Sequence, residues 1–454
     1  MSNRLHVGSL ASLVLVCAGC GGRGCSGSNA RTEHRPTTSA NAPTAPTNAP
    51  QHQGTAPANA PVLTLTTADA STAQVGSVRE GVNLLGVELY GKLREAPGNV
   101  IVSPAGVSAT LAMAAGGARG ETLTEMRRVL HHPADDRALH QVLGDTVVNW
   151  RYGDAGDAGD GGLMRYAQRA WVAEGLTYVD TFIDLTMHAY QASFDRIDFH
   201  NVPEAHNRIN GWLRGQTDER LDEVVPGEAL SDTTRMVVAG GLYLRVAWQH
   251  RFSLAQTRAE PFAGERSANV SMMHTANTFG YAAPEGVRVV ELPMRDGNLV
   301  MDVILPAEAS GFADLERGLT AEKIDQWIAA LHPTRVDVAL PRFTLHPRLS
   351  TPLRAPLEAL GMTRAFDASA ADFSGVATPR NAGERLSLGA AFHRSTLEVS
   401  EYGDSGSAES NAARPAAGAA GATVLRADRS FLFVVRDTRT GLMALIGRVV
   451  DPSS

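Results

Sequence analysis

Gly403-Asp404-Ser405-Gly406 has the composition of a nucleophile turn, a serine between glycines with a carboxylate beside it. Such a serine does acyl-transfer chemistry only with a histidine base in reach and a carboxylate to orient that base. The chain has 14 histidines, yet none stands in the Ala-Ala-His-Cys setting that accompanies this serine context. Cys17, Cys20 and Cys25 are the only cysteines. The rest of the chain therefore has no disulfide, thiolate metal site or cysteine nucleophile. The acidic run Asp154-Ala-Gly-Asp-Ala-Gly-Asp160 reads as a solvated loop insertion rather than a calcium site. No cofactor or metal is expected, and the chain does not read as an enzyme.

The elements that would have to position chemistry are those of one large globular domain. The composition is 43% apolar and 20% charged, with a formal net charge of -7. That mild acidity, without a dense Lys/Arg stripe, argues against a nucleic-acid surface. No apolar run reaches the roughly 18–20 residues that span a bilayer. Val75, Val78, Val82, Leu85, Leu89 and Leu93 recur at helical steps and predict an amphipathic helix. Pro97-Gly98 ends it, 99–103 is a short buried strand, and Ser103-Pro104 caps a second helix that is apolar nearly all round. Further helices are expected at 121–131, 180–192, 203–216, 320–331 and 350–361. Strands are expected at 166–172, 236–244, 287–292, 299–305, 336–340, 386–399 and 431–435. Helices lead, strands dominate the last third and no βαβ alternation occurs, so the class is α+β with mainly antiparallel sheets.

Residues 1–20 read as an export signal, with Arg4, the apolar stretch Leu10 to Val16, and Ala18-Gly19 before Cys20. This resembles a lipoprotein signal with Cys20 as the acylated residue, although Cys17 stands where such signals usually have leucine. A lipid on Cys20 would be the only membrane attachment, and plain secretion is the alternative. Residues 21–71 are rich in Ala, Pro, Thr and Gly and form a linker with too little apolar material to fold. The folded domain is placed at 72–453 and expected to be monomeric.

Across about residues 75–453 the chain resembles the serpin family. The resemblance is carried, in order, by Asn99-Val-Ile-Val-Ser-Pro104, Ser108-Ala-Thr-Leu-Ala-Met113, Gly117-Ala-Arg-Gly-Glu-Thr122 and Ile209-Asn-Gly-Trp212. It continues through Leu242-Tyr-Leu-Arg245 with Trp248, Phe252 and Phe262, then Val270-Ser-Met-Met273, Leu340-Pro-Arg-Phe343 and Ala371-Asp-Phe-Ser-Gly375. His393, Asp428-Arg-Ser-Phe-Leu-Phe433 and Gly447-Arg-Val-Val-Asp-Pro452 close it. The resemblance implies three sheets, about nine helices and an exposed reactive loop at about 401–422. In inhibitory members a protease cuts that loop and becomes an acyl-enzyme. The loop then inserts into the main sheet and traps the protease, releasing a metastable fold.

The family's spacing, 17 residues counted from Glu401 inclusive, reaches Ala417, which with Gly418 would form the reactive bond; Ala416 and Ala419 remain close alternatives. A small residue there suits an elastase- or subtilisin-like serine protease, with a cysteine protease as a further option. Arg414 is discounted because Pro415 follows it. The hinge reads Glu401, Tyr402, Gly403, Asp404, Ser405, Gly406, Ser407, Ala408. In an inserted strand Asp404, Gly406, Ala408, Ser410 and Ala412 share one face. That set is small except Asp404, which stands where the family has Thr or Ser. Burying its charge opposes insertion, so a non-inhibitory binding or display protein is the competing reading. Beneath the sheet Ser103 and His393 match the family's shutter, but Gly106 and Gly240 replace a serine and an asparagine. His393 is therefore expected to find another acceptor or a water.

Overall fold

The first helix forms because its apolar steps repeat and its start is capped. Ser71 and Gln74 make a reciprocal capping box on Thr72–Leu93, and Val78, Val82, Leu85 and Leu89 are buried. These elements belong to a computed structural model that describes residues 70–152, 162–192, 194–284, 286–295, 297–378, 385–401 and 423–453. Cys20, nearly all of the 1–71 leader, the acidic run at 154–160 and the loop residues Gly403, Asp404, Gly406, Ala408, Ala417 and Gly418 lie outside the described residues.

Ser103 caps Pro104–Ala115 as predicted, its side chain accepting from the Gly106 amide, and every residue of that helix is buried. Helices follow at Gly120–Val129, Asp136–Tyr152, Asp180–Tyr190, Val202–Gln216, Phe312–Arg317, Ala321–Ala329 and Arg354–Ala359, making nine among the described residues. Asp136–Tyr152 was not expected. Its buried Leu139, Val142, Leu143, Val147 and Trp150 keep helical spacing, but His140, Gln141 and Asp145 dilute the stripe in the sequence.

Three sheets of nine, six and two strands form among the described residues. Pairing is mostly antiparallel. The nine-stranded sheet runs from Val100–Val102 through Met443–Val449, Phe431–Asp437, Leu299–Pro306, Val287–Pro293, Ala268–Ala282 and His332–Pro341 to Thr423–Arg426. Arg258–Phe262 pairs with Ala268–Ala282 off that path. The six-stranded sheet has the order Phe343–Leu345, Ala390–Val399, Met236–Arg245, Leu163–Ala173, Asp195–Ile197, with Thr351–Pro352 also on Ala390–Val399.

That second sheet is apolar on both faces. Met236, Val238, Leu242 and Leu244 face the main core with Pro104–Ala115. Val237, Ala239, Tyr243 and Phe392 face a smaller core with Ile209 and Leu213 of Val202–Gln216. The two-residue alternation of a strand produces this division directly. No helix of the described residues is long and apolar enough to cross a membrane.

Candidate functional site

Two ten-residue strands of the six-stranded sheet, Met236–Arg245 and Ala390–Val399, lie side by side and run parallel. Their register is unbroken from Ala390 against Val237 to Glu398 against Arg245. Ala390–Val399 leads straight into Ser400 and Glu401, after which the described chain resumes at Thr423. A strand running the opposite way could enter between them and pair antiparallel with both neighbours.

The upper end of this seam is pinned at the hinge. The Trp248 indole Nε1 donates to the Ser400 carbonyl at 2.8 Å, and its ring meets Phe252 edge to face at 5.6 Å. The Glu401 side chain is only 2% exposed. It accepts from Arg342 Nε at 3.0 Å and Nη2 at 2.6 Å, and from the Thr257 hydroxyl at 2.6 Å. Burial pushes the Glu401 carboxyl up, but these hydrogen bonds outweigh it and hold the group below its ordinary value. Arg342 sits between His332–Pro341 and Phe343–Leu345, so the sheet edge itself carries the counter-ion.

The far side of the 402–422 segment returns through Thr423–Arg426, which pairs parallel with Val336–Ala339 on His332–Pro341. Arg426 is ion-paired with Glu260, which also accepts from Arg258 at 2.6 Å and meets His274 Nε2 at 2.9 Å. Both ends of the segment are thus held by buried or half-buried carboxylates with arginine partners.

Halfway down the seam the situation differs. His393 stands opposite Gly240, and Gly240 stands opposite Gln168 on Leu163–Ala173, so the three share one face across three strands. Beneath them lie Ser103, Gly106 and Thr110. A Cβ on Gly106 would come within 2.6 Å of Ser103 Oγ and 2.7 Å of the His393 ring. A Cβ on Gly240 would come within 2.8 Å of Thr110 Oγ1. The two glycines are therefore matched to close packing.

The acceptor expected for His393 is not found among the described residues: neither Nδ1 nor Nε2 has a hydrogen-bond partner. Thr110, Tyr166 and Gln168 fill the space near the missing asparagine and bond to one another instead. Gln168 Oε1 accepts from Tyr166 at 2.7 Å and from Thr110 at 3.3 Å. Burial pushes the His393 imidazole down to about 3 and keeps it neutral.

Of the residues singled out from sequence, Ser103 and His393 both lie against Gly106, and Trp248 and Glu401 both lie where Ala390–Val399 ends. Sequence reasoning missed Arg342, Thr257, Thr110 and Gln168. Arg342 lies inside Leu340-Pro-Arg-Phe343, but nothing in the spacing reveals that its guanidinium reaches Glu401, 59 positions away.

A sheet with a parallel seam whose strand leads into the 402–422 segment, closed beneath by a buried helix, defines a class of proteins. Residues 80–452 match the family described as Serpin (serine protease inhibitor), and the chain belongs to that family. An uncharacterized serpin-like protein of Thermococcus kodakarensis is 32% identical over 83% of this chain and 86% of its own. A leukocyte elastase inhibitor of Xenopus tropicalis is 30% identical over 80% of this chain and 97% of its own. Uncleaved ovalbumin superposes with a TM-score of 0.74 at 25% identity, covering 83% of this chain and 100% of that one. Native protease nexin-1 with heparin gives 0.70 at 23% identity, covering 84% and 99%, which is a likeness of fold alone.

Proposed function

We propose that this chain is a single-use inhibitor of an elastase- or subtilisin-like serine protease. The observation that carries the reading is the parallel seam, whose strand Ala390–Val399 runs directly into the 402–422 segment. The protease serine attacks the carbonyl of Ala417 and Gly418 leaves with its amine protonated, giving an acyl-enzyme. The freed hinge end then enters the seam, and insertion races deacylation. Relatives named as leukocyte elastase inhibitors agree with a small residue at the cut. The test is incubation with elastase- and subtilisin-like enzymes followed by denaturing electrophoresis. A covalent complex is expected; clean clipping without one overturns the inhibitory reading.

Asp404 favours a second reading, a binding or display protein of the same fold. Its carboxylate would enter the sheet first, and burying it unpaired costs several kcal/mol. Under the inhibitory reading Asp404→Thr raises the fraction of protease trapped and leaves the rate of first cleavage unchanged. No change in stoichiometry would mean that Asp404 does not limit insertion. The leader supports export with a lipid on Cys20 as the sole membrane tether, in a monomer. Mass spectrometry of the mature N-terminus should show acyl mass on Cys20 and nothing before it.

A further inference from the structure

The stretch that would offer a protease its bond gives little to choose an enzyme by. Residues 411–422 hold Asn411, Arg414 and Pro415 and are otherwise alanine and glycine. Seating one methyl group discriminates between pockets only weakly. A stronger determinant has to lie outside that stretch, and the described chain carries a candidate beside both of its attachment points.

Before residue 402, Glu401 is held by Arg342 and Thr257. After residue 422, Arg426 pairs with Glu260, which also holds Arg258 and His274. Thr257 and Arg258 are consecutive, so the two sets form one cluster. Its charges are sorted by depth. The Glu401 and Glu260 side chains are 2% and 10% exposed, whereas those of Arg342, Arg426 and Arg258 are 44%, 45% and 61% exposed. Three guanidinium groups over two carboxylates leave an excess of positive charge, and the outward-facing charge is all positive. Arg335 and Asp337, on the strand that pairs with Thr423–Arg426, are one of each sign and leave that excess unchanged. The chain as a whole has a formal net charge of -7, so the cluster runs against the overall balance.

Each guanidinium has five N–H groups in a planar fork. Arg342 uses Nε and Nη2 on Glu401, Arg258 uses Nε and Arg426 uses Nη2 on Glu260, and none of the three guanidinium groups bonds elsewhere among the described residues. Glu260 keeps His274 and Arg426 without Arg258, so Arg258 is not needed to partner it. The unused N–H groups can take further carboxylates, and a guanidinium fork orients a carboxylate as well as attracting it.

We propose that Arg258, Arg342 and Arg426 form a docking collar for a protease whose active-site cleft is rimmed by carboxylates, and that this contact, more than the residue at the cut, selects the enzyme. The inference rests on the reading that a protease cuts the 402–422 segment. An enzyme engaged on that segment works between its two attachment points, where the three guanidinium groups stand. Charge at the rim of an interface acts mainly on the rate of association.

The experiment measures the first cleavage of the full chain between 415 and 420 by two subtilisin-like proteases that both accept alanine, one with an acidic rim and one with a neutral rim. The readout is the ratio of the two rates, because a variant that merely loosens the fold changes both alike. For the unsubstituted protein the ratio should favour the acidic enzyme about tenfold at low salt and approach unity near 1 M salt, where the screening length is about 3 Å. Arg258→Gln and Arg342→Gln should each lower the ratio about threefold and together abolish it, while Arg258→Lys should keep most of it. Equal ratios in the unsubstituted protein and both glutamine variants would show that the collar docks no enzyme, and the covalent complex would still decide the inhibitory reading. If neither enzyme cuts between 415 and 420, the reading that puts a protease there fails and the collar fails with it.

Discussion

The top and the middle of the seam solve opposite problems. At the hinge every polar group of the clamp has a partner: Glu401 meets Arg342 and Thr257, and Trp248 meets the Ser400 carbonyl. At the shutter, both ring nitrogens of His393 and the Nε2 of Gln168 are buried with none among the described residues. Satisfied charge holds the point where Ala390–Val399 ends, whereas the middle of the seam carries buried polar atoms that have no partner among the described residues. The insertion proposed above would use both, a defined point of entry and a weak middle.

Acid separates the two most strongly. His393 and His132 are pushed down to about 3 by burial, and His140 to about 4. These groups stay neutral in the folded chain while an unfolded histidine protonates near pH 6.5, so the unfolded state binds more protons as pH falls. Stability is full above that pH and falls by about 1.4 kcal/mol per pH unit per histidine below it, down to the folded values. Glu401 has the same sign in a lower window: its contribution is present above the ordinary carboxylate value and lost only below it. Thermal midpoints of the uncleaved protein should therefore drop between pH 6.5 and 5 with the hinge still intact. His393→Gln should make that slope shallower, and an equal slope would remove the shutter from the comparison.

Arg342→Ala tests the top. It leaves a buried carboxylate with the Thr257 hydroxyl as its main partner and should cost about 2 kcal/mol, because Arg342 is 44% exposed and part of its pairing is screened. The loss should appear in the uncleaved midpoint at pH 7 and shrink below pH 4. Gly106→Ala should cost about 1–3 kcal/mol by forcing Ser103 and His393 apart. A neutral result there would mean that the shutter has slack. Trp248→Phe, which keeps the ring contact with Phe252 but deletes the donor to Ser400, should cost about 1 kcal/mol.

What could be read from sequence follows the same division. Strands such as Met236–Arg245 and Leu299–Pro306 are written in nearly continuous apolar residues, and the Ser103 cap in a local pair of residue types, so both are legible. Ala268–Ala282 is a single 15-residue strand serving three neighbours, and its mixed polar pattern shows only the Val270 to Met273 portion. The shutter histidine was found by resemblance, but its lack of a partner depends on where Thr110 and Gln168 point, which is a property of three packed elements. The Arg342–Glu401 pair is long-range and ionic, and ion pairs leave no periodic trace.

The small core under Val202–Gln216 adds a dependence on solvent. Its apolar side chains come from both flanks of the seam, Val237, Ala239 and Tyr243 on one side and Phe392 on the other. Parting the strands by one spacing, about 4.8 Å, must break those contacts before the helix can settle again. Hydrophobic contact is strengthened by sulfate and phosphate and by excluded osmolytes, and weakened by cooling. Under the insertion proposed above, the helix would be a cover whose grip is set by the medium, tighter in concentrated sulfate and looser in the cold, with no residue changed.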